Sequence, residues 1–212
     1  MTEPLFSPSA LHEGVRALKA DLLAEGGPRI STMRNYRFAI LQYEPEAEFK
    51  LRRLIRGLTD DLLAAGWEVL TISLQRLLIE RIRAAGGTVV DGLVAREKRL
   101  YAKDPQRALD DIREKIAPFI EGPEGVAADV VRLIGKFDDE HPDRTNQSLV
   151  LIGRSGALYP FFRSSALLKH IDGKTRNIPV VLLYPGKRHD RTGLSFMGEL
   201  PPDRDYRPRI YP

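Results

Sequence analysis

The chain has 212 residues, 42% hydrophobic and 29% charged, with a net charge of +4 and a sequence pI near 9.4. That length can bury a core without staples, and the absence of cysteine excludes disulfide scaffolds, thiolate zinc sites and cysteine nucleophiles. No apolar run approaches the ~20 residues of a membrane helix, and the opening MTEPLFSPSALHEG lacks the basic-then-apolar order of a secretory signal, so the expected location is the cytoplasm. The cationic excess is modest and spread along the chain. A basic domain can approach nucleic acid, but no basic block stands out against a solvated charged surface.

Residues 9–24 predict a first helix. Ser9 is its capping residue, Leu11, Val15, Leu18 and Leu22 recur at helical spacing, and Gly26, Gly27 and Pro28 stop it. YRFAILQYEP (36–45) predicts a strand bounded by Pro45. Residues 46–66 predict a helix with acids in its first turn and Gly66 at its end. WEVLTIS (67–73) predicts a second strand, and LQRLLIERIRAAGG (74–87) a second helix with a glycine stop. This β-α-β-α order implies a parallel sheet joined by crossover helices.

From 91 to 137 the periodicity is helical and offers no strand, which implies a helical insertion in one α/β domain spanning 1–212. Within it Asp104 caps a helix with Pro105 at the first position. DDEHPDRTNQ (138–147) is a polar loop leading back to the sheet. SLVLIG (148–153) reads as a central strand covered on both faces. A helix is expected over 158–171, with Pro160 near its start. IPVVLLYPG (178–186) is the next strand, where Pro179 can stand only at the beginning. TGLSFMGEL (192–200) is a candidate edge strand, and 200–212 reads as an extended, proline-rich tail. The expected fold is thus α/β, a mostly parallel central sheet with flanking helices, resembling nucleotide-binding folds without their phosphate loop.

The chemistry is sparse. GRSGALYPFFR (153–163) follows a strand, where many α/β proteins cradle phosphate. Yet it lacks the lysine and hydroxyl of G-x-x-x-x-G-K-[ST], and G-x-G-x-x-G is absent too. In GRSGA the second glycine falls one place early for the G-x-S-x-G elbow of hydrolases. His12, His141, His170 and His189 form no metal-ligand spacing. No catalytic residue, metal site or cofactor is assigned. What remains is an anion or partner contact built from Gly153, Arg154, Ser155, Gly156, Arg163, Tyr184, Gly186 and Lys187. In that reading Arg154, Arg163 and Lys187 converge at the strand C-termini around something acidic: an internal carboxylate such as Glu44, a bound phosphate, or an acidic patch on a partner. In the competing reading the glycines only permit the turn and the arginines pair with local acids.

Three stretches carry a resemblance to a known family. LIGRSGALYPFFRSSALLKHI has Pro160, Phe161, Arg163 and Ser164 in matching places. PVVLLYPG matches at Pro179, Val181, Tyr184, Pro185 and Gly186, and GLSFMGELPPDRDYRPRIY at Gly193, Leu194, Gly198, Tyr206, Arg207 and Ile210. A weaker match lies at Tyr43, Pro45 and Glu48. In these the chain resembles the BrxB family of bacteriophage-exclusion (BREX) defence systems, departing from it at Met197, where phenylalanine is expected. The resemblance implies a phage-defence component without catalytic activity of its own, working beside a DNA methyltransferase, a large ATPase and PglZ, an alkaline-phosphatase-like protein. PglZ is the first partner it implies, with other BREX proteins after it, and contact with DNA indirect or weak. The alternative it leaves open is a nucleotide- or DNA-binding sensor of the same system.

Overall fold

SLVLIG has only apolar residues between its terminal serine and glycine, and such a run suits a strand covered on both faces. The computed structural model, which describes residues 9–30, 37–121, 124–188, 193–200 and 208–212, shows it so: β3 (Ser148–Gly153) is buried along its whole length. β3 lies between β2 (Glu68–Ser73) and β4 (Val180–Arg188), and β4 pairs in turn with β1 (Phe38–Tyr43). The sheet order is β2-β3-β4-β1-β6 with every pairing parallel, while β5 (Leu194–Phe196) runs antiparallel to the far end of β4. The expected α/β fold with a mostly parallel sheet is the observed one.

Alternating side chains divide the core in two. Phe38, Ile40, Val150, Ile152, Val180 and Leu182 meet a layer built by α3 (Leu74–Ala84), α6 (Val126–Glu140) and α7 (Ser164–Ile171). Ala39, Leu41, Leu149, Leu151, Val181 and Leu183 meet α1 (Ala10–Leu22) and α2 (Glu48–Ala64) on the opposite face. The chain leaving β1 therefore goes to one face and the chain leaving β3 to the other, which opens a crevice at the strand C-termini. Among the described residues no helix is long and apolar enough to cross a membrane.

The helical middle divides by burial. α6 buries Val126, Ala127, Val130, Ile134 and Phe137 and belongs to a core layer. α4 (Gly87–Tyr101) buries no residue, and α5 (Pro105–Ile120) only Ala108 and Ile120. These two pack on each other, pinned by a forked Arg96–Asp111 ion pair at 2.6 and 2.7 Å. Asp104 caps α5, its carboxylate accepting from the amides of Gln106 and Arg107 at 3.0 and 3.1 Å.

Four expectations change. Ser9 stands before α1, but its hydroxyl meets His12 Nδ1 and Lys50 Nζ rather than a helix amide. α6 runs on to Glu140, into the expected loop. The helix after β3 begins at Ser164, because Pro160 lacks an amide and holds the residue before it out of helical geometry. The tail ends in the sheet: Arg209–Tyr211 is β6, parallel to β1, while 201–207 lie outside the described residues. Tyr211 donates to Asp21 at 2.8 Å, and Arg209 reaches the same carboxylate at 2.7 Å. Gly14 permits this docking, since a Cβ there would stand 1.7 Å from the Pro212 carbonyl oxygen.

Replacing Asp104 by alanine is expected to lower stability by about 1 kcal/mol, the usual worth of an N-cap. Ser9→Ala removes no such bond and should change it by less than about 0.5 kcal/mol. Urea midpoints of the two variants check this; equal losses would contradict the capping geometry.

Candidate functional site

β1 ends at Tyr43, in register with Pro185 of β4, and a turn of 3-10 helix at Pro45–Ala47 leads into α2. β3 ends at Gly153, and the following Arg154 takes a left-handed backbone with φ 64°. That turn swings the Arg154 side chain across the crevice toward α2. There Glu48, in the first turn of α2, gathers three donors on one carboxylate. The Tyr43 hydroxyl approaches at 2.5 Å, Arg52 Nε at 3.0 Å and Arg154 Nη1 at 3.1 Å. The helix dipole adds its own preference for an acid there. A cleft of about 170 Å3 remains beside this cluster, lined by Tyr43, Pro45, Glu48, Arg154, Pro185 and Met197 among others.

The internal acid is therefore Glu48, four residues beyond the expected Glu44. A carboxylate in the first turn of a helix reads in sequence as a response to the dipole. The signal that separates it is Arg154, 106 residues away, and only the crossover of the chain brings the two together. Burial, and then the hydrogen bond to Glu48, raise the ionisation of Tyr43 well above the usual tyrosine range.

The other expected residues divide into packing and surface. Ser155 is buried and donates to the Leu183 carbonyl at 3.2 Å. Gly153 and Gly156 pack against Leu183, Pro185 and Met197. Gly186 must be glycine, because a Cβ would stand 2.2 Å from the Ser195 carbonyl oxygen where β5 crosses β4. Its own carbonyl accepts from Gln42 Nε2 at 2.7 Å. Tyr184 is buried, donates to the Leu194 carbonyl at 3.3 Å and meets the Phe196 ring edge-on at 5.5 Å. Lys187 is exposed, its stem lying over Gly198.

Arg163 is exposed too, but it lines a different, narrow groove with Glu121, Val126 and His170. The three cations thus do not converge. Arg154 is closed onto Glu48, Arg163 faces the α5–α6 side, and Lys187 stands at the far end of β4. Among the described residues no group of His, Cys, Asp and Glu is placed to hold a metal ion. His189 lies outside them.

Tyr43 and Tyr211 share a pH signature. Both are raised above the ordinary 10.0, mainly by burial and then by bonds to Glu48 and Asp21. Above that pH the unfolded chain releases tyrosine protons that the native chain keeps, so this stabilisation is complete below it and declines as pH rises. Urea midpoints at about pH 9 and about pH 11 should fall for the wild type, and fall less for Tyr43→Phe. An equal fall in both would detach the effect from Tyr43.

A family model described as "BREX protein BrxB" matches residues 70–210. No curated protein and no solved structure matches the chain. The matched span runs from within β2 into β6, and it contains the turn after β3 and the strand β4 that the resemblance singled out. The Tyr43 and Glu48 side of the crevice precedes it. With about two thirds of its length matched, the chain belongs to the BrxB family and is a component of BREX phage defence.

Proposed function

We propose that the protein is a non-enzymatic assembly subunit of its BREX system, working in the cytoplasm with PglZ as its first partner. The observation that carries this reading is the closure of the crevice. Open α/β sheets take their ligands outside the strand C-termini, at the point where connections change face. Here that place holds Glu48, with Tyr43, Arg52 and Arg154 donating to it. A phosphate entering there would meet a carboxylate already supplied with its donors, and like charges at that separation repel. The hydroxyl of Ser155, the nearest approach to a nucleophile in sequence, is committed to the backbone of Leu183. The family's association with PglZ supplies the partner. Of the cations in the candidate set, Arg163 and Lys187 stay exposed for it.

Co-expression with PglZ, followed by affinity purification and size exclusion, is expected to give a complex that elutes as one species. PglZ eluting alone would remove it as the partner. The purified chain is expected to release no phosphate from ATP or GTP; turnover abolished by one substitution in this chain would end the non-enzymatic reading. Arg163→Ala should leave stability within about 0.5 kcal/mol, as for surface substitutions. It should weaken PglZ binding by about 1.5–3 kcal/mol, the range of a charge-assisted hydrogen bond. Unchanged affinity would retire Arg163 as a contact.

A further inference from the structure

β2 is an end strand of the sheet. It pairs with β3 along six residues, and among the described residues no other segment bonds the backbone of its outer side. The opposite edge, β6, has only three residues. Amides and carbonyls of a strand point alternately to either side, so β2 presents a row of unused donors and acceptors. Natural edges are often blunted with lysine or proline. EVLTIS has neither: Val69, Thr71 and Ile72 are β-branched, and the single charge, Glu68, lies against Arg144 and His141 at 3.4 and 3.5 Å.

α2 flanks this edge. One of its sides holds α1, through Lys50 to Ser9 and Asp61 to Lys19, and α1 lies over β1 and β6. The side turned from α1, toward β2, carries Phe49, Arg52, Arg56, Asp60 and Leu63, which recur at three- and four-residue spacing as one exposed stripe. Phe49 is 75% and Leu63 51% exposed, at opposite ends of it. Glu48 meets Arg154, just past Gly153, and Gly153 is in register with Ser73. The start of α2 is therefore level with the end of β2, and its end turns directly back into the strand. α2 runs antiparallel to β2, and its middle, at Arg56, lies beside the middle of the strand.

Both elements are self-complementary about one two-fold axis normal to the sheet. An axis through Thr71 sets that residue against its own copy, Leu70 against Ile72 and Val69 against Ser73, so no like charges oppose each other in the strand pair. The same axis passes Arg56. It sets Phe49 against Leu63 of the second copy and Arg52 against Asp60 of the second copy, with that Asp60 one turn from Arg56. Apolar ends meet apolar ends, and acid meets base beside them. We propose that two copies of this chain join antiparallel along β2 into one continuous sheet, with α2 packed on α2. This surface goes beyond the assembly reading and stands without it.

Light scattering of the full chain after size exclusion, at several concentrations, and hydrogen exchange at the same concentrations test this. A dimer is expected at about 100 µM that dissociates on dilution, with the β2 amides exchanging more slowly where the dimer prevails. Leu63→Glu and Asp60→Arg should each raise the dissociation constant by about tenfold or more. Adding Arg56→Asp to Asp60→Arg returns opposite signs across the axis and should recover part of the loss, a gain that a damaged fold cannot produce. Val94→Glu, at an exposed position of α4, should leave the dimer unchanged. The proposal is overturned by a chain that stays monomeric at about 100 µM, by a dimer indifferent to Leu63→Glu and Asp60→Arg, or by β2 amides whose exchange ignores concentration. A monomer whose β2 amides gain protection only when PglZ is added gives the edge to that protein, and overturns it as well.

Discussion

Everything in this fold hangs on two adjacent strands being apolar on both faces. β3 and the first part of β4 carry no polar side chain that needs water between Leu149 and Leu183, so neither face of the sheet can be left to solvent. A single layer of helices would strand half of these residues. The chain answers with α1 and α2 on one side and α3, α6 and α7 on the other. Each fully buried Leu or Ile contributes about 1.5–3 kcal/mol relative to exposure, before chain entropy is counted.

The same arrangement creates the crevice. Because β1 feeds one layer and β3 the other, their outgoing loops part, and backbone amides and side chains at the strand ends face a common gap. In many α/β proteins that gap is where anions are held. In this one Glu48 fills it from within and draws Arg154 across from β3. The result ties two layers together through a partly exposed ion pair, whose own contribution to stability is modest. Its consequence is chemical: the usual anion position is occupied by the chain itself.

Outside the two layers the packing thins. α3 and α6 are joined by Asp129, a nearly buried carboxylate bonded to both Arg81 and Arg132. Beyond them α4 buries nothing completely and leaves Val89, Val94 and Tyr101 exposed. A helix held mainly by α5 and a surface ion pair, with a smaller contact to α3, opens more readily than a core strand. The region expected as a helical insertion is therefore of two kinds, a core helix at its C-terminal end and a loosely held pair before it.

Much of this was legible along the chain. Apolar runs at 149–152 and 180–183, helical spacing in 11–22 and 51–62, and the capping Asp104 are local patterns, and local patterns survive into the fold because each reports its own burial period. The family was legible too, in the turn after β3 and in the strand β4. Contacts between distant segments were not. That PRIY joins the sheet instead of trailing away depends on a bare flank of β1 and on Gly14 in α1, neither visible from a proline-rich composition. That Arg154 faces Glu48 and not Arg163 depends on which face each connection takes after its strand. A residue's own neighbours determine whether it prefers helix or strand and which side is apolar. Which charges meet is decided only when the sheet is assembled, because strand order and crossover face set distances that sequence separation does not contain.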